Sequence, residues 1–183
     1  MEKVRKCCFI GHRHIGYGSI KERLEVAIKR EIENGCRFFT MGTHGEFDSL
    51  ALSTCINFRN EYKDIEIEVN ITSLHKIKKQ VEQDEFGIDV FIPYADVKTI
   101  MYDIEEEYFK KQITVSNRQM IDTCDTLICY VNKHQYRSGA KTAMNYAKKK
   151  GLRIVNLYKE EDEPTFGMTK EQKEEYWKKM FMK

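Results

Sequence analysis

Short, continuous apolar runs alternate along this chain with stretches whose apolar residues recur every third or fourth position, which predicts strands alternating with helices. Lys6 to Ile10 is the first run, in the form taken by a strand buried on both sheet faces. Ile20, Leu24, Ala27, Ile28 and Ile32 then follow at helical spacing, with Ser19 and Glu22 placed as a capping box and Asn34-Gly35 as the stop. Cys36 to Met41 reads as a second strand, and Phe47, Leu50, Ala51, Cys55 and Phe58 as the core face of a second helix. Ile65, Ile67, Val69 and Ile71 alternate with polar residues, which predicts a strand over Asp64 to Thr72 with one exposed face, near a sheet edge.

From Ser73 to Glu107 the pattern is mixed. A short helix over Leu74 to Gln83 and a strand over Asp89 to Tyr94 are expected there, then an acidic, solvated run from Asp103 to Glu107. Helical order returns over Tyr108 to Cys124, with Ile113, Asn117, Met120, Ile121 and Cys124 on one face. A buried strand follows over Thr126 to Val131, then a helix carrying Ala140, Ala143, Met144 and Ala147 that Lys148-Lys149-Lys150-Gly151 closes, then a last strand over Arg153 to Tyr158. The fold class that results is α/β, a doubly wound, mostly parallel sheet with helices on both faces, over residues 1–160. Residues 161–183 read as an acidic linker and a final amphipathic helix capped by Thr169-x-x-Gln172. Its Tyr176, Trp177, Met180 and Phe181 are available for docking on the domain or for a partner chain, a second copy included.

Composition narrows the class. With 183 residues, 41% hydrophobic, the chain suits one well-packed domain. The 31 basic and 29 acidic side chains leave a net charge of +2, which supplies no general argument for nucleic acid or for an acidic membrane. No apolar run is long enough for a membrane span, and the chain enters its first strand without a signal segment, so a cytoplasmic protein is expected. Among the six cysteines there is no Cys-x-x-Cys pair, and Cys7, Cys8, Cys36 and Cys129 fall in apolar runs, which reads as buried reduced thiols.

Three loops follow strands and precede helices: residues 11–18, 42–48 and 132–139. In a doubly wound sheet such loops converge on one crevice beyond the carboxyl ends of the strands. Gly42 and Gly45 allow close backbone approach at a helix start, where unpaired N–H groups suit an anion. The glycines match neither Gly-x-Gly-x-x-Gly nor a P-loop, so the ordinary dinucleotide-dehydrogenase and Walker-type ATPase readings fall away. Arg13 is placed to pair with a phosphate. His12, His14 and His44 lack metal-ligand spacing, and no metal or other cofactor is expected; His12 or His44 can instead hydrogen-bond a ligand. Asp48 suits a ribose hydroxyl or a general base, and equally a first-turn role against the helix dipole. Arg118 reads as an exposed helical cation or, with Asn117, as an anion contact.

Gly11-His12-Arg13, Gly42-x-x-Gly45-x-Phe47-Asp48, Asn117-Arg118-x-Met120-Ile121-Asp122 ahead of Cys124-Asp125-Thr126-Leu127-Ile128, and Ser138-Gly139-Ala140-Lys141-Thr142 with Tyr146-Ala147-Lys148-Lys149-Lys150 together resemble the SLOG superfamily. That group includes small bacterial and phage proteins like YpsA and YoqJ, the Smf/DprA DNA-processing proteins and the lonely-guy phosphoribohydrolases. The resemblance covers residues 4–158 and is closest to the small uncharacterised branch. It implies a Rossmann-like fold that binds a nucleotide or nucleotide-derived ligand, a nucleoside monophosphate or an ADP-ribose-like compound. The binding residues expected from loops and resemblance together are Gly11, His12, Arg13, Gly42, Thr43, Gly45, Asp48, Asn117, Arg118, Ser138, Gly139 and Thr142. The lonely-guy enzymes carry Pro-Gly-Gly-x-Gly-Thr and then a glutamate, whereas this chain has Arg137-Ser138-Gly139-Ala140-Lys141-Thr142 and then Ala143-Met144-Asn145. Cleavage of an N-glycosidic bond needs a carboxylate beside the developing oxocarbenium ion, so its loss favours a binding or sensing module over an enzyme. Asp48 and Glu46 are the candidate acids if the protein is a hydrolase or transferase. Single-strand DNA binding, by analogy with the DNA-processing proteins, needs a basic stripe, and the balanced charge argues against it.

Overall fold

The computed structural model describes residues 4–16, 19–72, 97–101, 108–136, 138–163 and 165–181. Among them the elements run β1 (Arg5–Gly11), α1 (Ile20–Glu33), β2 (Cys36–Met41), α2 (Glu46–Glu61), β3 (Glu66–Ile71), β4 (Lys98–Met101), α3 (Phe109–Asp122), β5 (Thr126–Tyr130), α4 (Gly139–Lys149), β6 (Arg153–Asn156), a 3-10 turn (Glu160–Asp162) and α5 (Lys170–Phe181). The helix and strand expected over 74–83 and 89–94, and the acidic run 103–107, lie outside the described residues. The expected α/β class holds. Six strands form one sheet in the order β4-β3-β2-β1-β5-β6, every neighbouring pair parallel.

Strand β1 lies inside the sheet, and its alternating side chains feed two cores. Cys7 and Phe9 point to the side covered by α1 and α2, with Leu24, Ile28, Phe39, Phe47 and Ala51. Cys8 and Ile10 point to the side covered by α3 and α4, with Met120, Ile121, Leu127, Ala143, Met144 and Ala147. All six cysteines are buried free thiols, and burial raises the pKa of Cys7, Cys36, Cys55 and Cys129. Helix α1 stops where the sequence says it should, because Gly35 takes φ +83°, a conformation other residues rarely adopt. Ser19 is its N-cap residue but makes no side-chain cap bond. At α5 the capping box does form: Thr169 N–H donates to Gln172 Oε1 at 2.9 Å and Gln172 N–H to Thr169 Oγ1 at 3.3 Å. No helix among the described residues is long and apolar enough to cross a membrane.

One sequence expectation is corrected. Strand β3 is not exposed on one face: everything from Ile67 to Ile71 is buried, and β4 pairs along its outer edge. Its polar side chains are accommodated by one another: Asn70 Nδ2 donates to Thr40 Oγ1 at 2.5 Å, Thr40 Oγ1 to Glu68 Oε1 at 3.4 Å, and Lys98 pairs with Glu68 at 3.3 Å. The acidic segment after β6 also has partners within the domain. Asp162 is 2% exposed; its two carboxylate oxygens accept from Arg23 Nη2 on α1, at 2.7 and 2.8 Å, and Oδ2 also accepts from Lys159 N–H at 3.0 Å. The neighbouring Glu163 accepts from Tyr158 Oη and Asn132 Nδ2, each at 2.9 Å, so the segment straps β6 to the β5–α4 loop. A run of four acids, Glu160 to Glu163, is accommodated here because a cation on another element meets it.

Removing one partner of a buried pair strands the other without water, so Asp162→Ala should lower the unfolding free energy by about 3 kcal/mol. Urea denaturation checks this. Arg23→Ala combined with Asp162→Ala should cost less than the two single losses added together.

Candidate functional site

Parallel strands deliver their carboxyl ends to one edge of the sheet. Here the connections leaving β1 and β5 depart to opposite faces, since β1 leads to α1 and β5 to α4, and a crevice opens between them. A cavity of about 590 Å³ occupies it. Its walls come from the end of β1 and its loop (Ile10, Gly11, His12, Arg13), from α3 (Lys110, Ile113, Thr114, Asn117, Arg118), and from α4 with the loop before it (Gln135, Ser138, Gly139, Ala140, Thr142, Ala143, Tyr146). His44 and Asp48 reach it from the β2–α2 turn.

Nine of the expected binding residues meet here: Gly11, His12, Arg13, Asp48, Asn117, Arg118, Ser138, Gly139 and Thr142. Gly42, Thr43 and Gly45 are not among the lining residues, and the reason is local. The β2–α2 turn satisfies itself. Asp48 Oδ2 accepts from His44 N–H at 2.9 Å, Glu46 N–H donates to the Arg13 carbonyl at 2.8 Å, and the Gly45 amide also hydrogen-bonds Asp48. The anion that the turn invites is the protein's own carboxylate. Gly45 is needed for close approach to the protein rather than to a ligand, because a Cβ there would lie 2.8 Å from Arg13 Cα. Gly11 likewise admits Phe47, whose ring would be 2.4 Å from an added Cβ.

The start of α4 is different. Ser138 caps it, accepting from Lys141 N–H at 3.2 Å, and its carbonyl accepts from Thr142 N–H at 3.0 Å. The amides of Gly139 and Ala140 make no hydrogen bond among the described residues. A Cβ on Gly139 would meet nothing within 4 Å, so this first turn is open to the cavity. Around it stand Arg13, Lys110 and Arg118, none of them ion-paired among the described residues. Arg118 lies over the Tyr146 ring with its guanidinium 5.2 Å from the centroid, and the Tyr146 hydroxyl is anchored on Asp122 at 2.9 Å.

His12 organises the wall between the two loops. Its Nε2 accepts from Asn132 N–H at 2.8 Å, which puts the ring proton on Nδ1, 3.4 Å from Ser138 Oγ. Burial lowers its pKa, with Glu163 opposing, so the neutral ring is favoured. A histidine with a depressed folded-state pKa contributes stability above its ordinary value of 6.5 that is lost as pH falls through the lowered one. Asp48 moves the other way: burial pushes it up to about 6, against the bonds from His44 and Gly45. Glu46, the other candidate acid, does not line the cavity; it accepts from Ile15 N–H at 2.9 Å and contacts His14 Nδ1 at 3.1 Å.

Lys110, Thr114 and Gln135 carry no sequence signal of a site, and Tyr146 enters only within a motif, not as an expected binding residue. They stand on helix and loop positions whose spacing carries no signature; only the packing of α3 beside α4 brings them together. With the geometry in view, comparison with known proteins adds nothing further: no family model matches the chain, and no curated protein matches it.

Asp48 yields a signed pH effect. Because its folded-state pKa is raised from 3.8 to about 6, ionisation above that value opposes folding. Asp48→Asn should therefore raise the thermal midpoint relative to the parent at pH 7.5, and that gain should vanish as pH falls towards 4. Melting curves across pH 4–7.5 measure it.

Proposed function

We propose that the cavity binds a nucleotide or a nucleotide-derived ligand, of the nucleoside monophosphate or ADP-ribose-like class, and that the protein is a binding or sensing module. The observation that carries this reading is the open first turn of α4 at the sheet's switch point, with Arg13, Lys110 and Arg118 on the same cavity. Amides and cations that have no partner among the described residues make one region complementary to a phosphate. Ile113, Ala143 and Tyr146 supply apolar wall for the rest of a ligand, and Asp48 is placed to accept from a hydroxyl. A volume of about 590 Å³ falls within the range of small-molecule sites. The motif resemblance to SLOG proteins points the same way.

A second reading, cleavage or transfer of an N-glycosidic bond, is favoured by one feature. Asp48 is a cavity carboxyl with a pKa near 6, which near neutrality can both hold and release a proton. Its weakness is that Asp48 already serves the β2–α2 turn.

The test follows thermal stability and the recovered small molecule together, over nucleoside monophosphates, NAD and ADP-ribose. A stabilising ligand recovered intact supports the module; free base or ribose phosphate supports the enzyme. Gly139→Val should fold normally, since the space at Gly139 is empty, yet weaken binding tenfold or more, about 1.4 kcal/mol. No stabilisation by any compound overturns the reading.

A further inference from the structure

A serine hydroxyl accepts through two lone pairs and donates through one rotatable proton, so its neighbours set the role it plays in a site. At Ser138 that role can be traced back through His12 to Asn132. The Asn132 backbone N–H is a donor that cannot reverse, and it lies 2.8 Å from His12 Nε2. A protonated Nε2 would set two donors face to face, so Nε2 accepts and the proton of the neutral ring sits on Nδ1. That proton faces Ser138 Oγ at 3.4 Å. The Lys141 backbone N–H, equally irreversible, reaches the same oxygen at 3.2 Å. Two donors therefore occupy both lone pairs of Ser138 Oγ, and its own proton must point elsewhere. That proton has no acceptor among the described residues, and Ser138 lines the cavity.

Both ends of this relay are held by the fold. Asn132 is fixed through its side chain: Nδ2 donates to Glu163 Oε1 at 2.9 Å, and Oδ1 accepts from His134 N–H at 2.8 Å. Glu163 Oε1 also accepts from Tyr158 Oη at 2.9 Å, so the acidic segment after β6 anchors the loop that directs His12. The His12 backbone N–H donates to the Tyr130 carbonyl at 3.1 Å, and the two rings meet edge-on with centroids 6.3 Å apart. Burial disfavours the imidazolium, which keeps the ring in the form with one proton and one lone pair that the relay requires.

We propose that Ser138 is a dedicated hydrogen-bond donor to whatever occupies the cavity, and that His12 is the positioning residue that makes it one. This rests on the reading of the cavity as a ligand site and adds the polarity of its α4 wall. The Ser138 hydroxyl works in the same sense as the amides of Gly139 and Ala140, which also have no partner among the described residues, so three consecutive residues each offer a donor. An ionised oxygen, which only accepts, suits all three. A hydroxyl or an amine, which must also place a proton, does not. A serine with a lone pair to spare would take either kind of group; the relay from Asn132 removes that freedom without placing a charge on the residue.

The experiment has two arms, both on the full chain. Long-range proton–nitrogen correlation spectra of the isotope-labelled protein at pH 7.5, with the His12 ring signals assigned by their loss in His12→Phe, should show Nδ1 protonated and Nε2 not. The second arm measures affinity for inorganic phosphate and for the same nucleotide panel by titration calorimetry. Ser138→Gly deletes the hydroxyl, yet glycine serves nearly as well at an N-cap, so the thermal midpoint should move little while affinity falls about tenfold or more. Ser138→Thr keeps both cap and hydroxyl and should bind as the parent does. His12→Phe should weaken binding in the parent background but add no further loss to Ser138→Gly, because a residue that acts only through Ser138 then has nothing to act on. A packing role for His12 would cost the same in both backgrounds. A ring protonated on Nε2, unchanged affinity in Ser138→Gly, or equal losses from His12→Phe in both backgrounds overturns the inference and leaves the cavity reading in place. No binding of any probe by the parent overturns both.

Discussion

The pairing of β1 with β5 is the constraint on which the rest of the structure depends. Five residues of each strand run in parallel register, from Cys7 opposite Thr126 to Gly11 opposite Tyr130, and β2 occupies the other side of β1. With both edges of β1 used, the chain before β5 has to return to the sheet on the face opposite α1 and α2. The loops that leave β1 and β5 then diverge, and neither can cover the gap at the strand ends. A concave site exists there because of the strand order, whichever residues line it.

What lines it depends on how each helix start meets its hydrogen-bonding needs. The starts of α2 and α4 look alike in the sequence, each a polar, glycine-containing turn after an apolar strand. At α2 the turn is closed by Asp48 and by the Arg13 carbonyl. At α4 the side chain of the cap residue Ser138 satisfies Lys141 N–H, and Gly139 faces open space. An isolated helix N-terminus attracts any anion, so the internal carboxylate at one end and its lack at the other divide the two turns into scaffold and site. His12 links them, accepting from the Asn132 amide on one nitrogen and directed at Ser138 with the other.

Charge follows the same division. Helix α2 carries Glu46 and Asp48 where they suit its dipole, and Arg23 on α1 locks the acidic segment after β6 onto that side. On the α3 and α4 side, Lys110, Arg118 and Lys141 have no ion pair among the described residues, and Lys110 and Lys141 stand in the first turns of their helices. A net charge of +2 averages these two populations into apparent neutrality. Electrostatic steering responds to the local field, which falls off within about 10 Å at ordinary salt, so the average says little about either face.

The sequence by itself determined the alternation of strands and helices, because burial on one or two faces writes its period directly into residue order. Continuous apolar runs marked β1, β2 and β5, and stripes such as Ile20, Leu24 and Ile28 marked the helices. Loop positions after strands were enough to find Gly11, Arg13, Ser138 and Gly139, since an α/β sheet has only one edge to which those loops can go. Three matters belonged to the tertiary structure alone. That Glu68 and Asn70 are buried depends on β4 and on Thr40, neither of them near in sequence. That Gly42 and Gly45 belong to packing depends on where Asp48 and Arg13 arrive. That Asp162 is an anchor depends on Arg23, 139 residues earlier. Periodicity records whether a residue is buried; it cannot record which distant partner makes a buried polar group stable, and at this site that partner decides what each loop does.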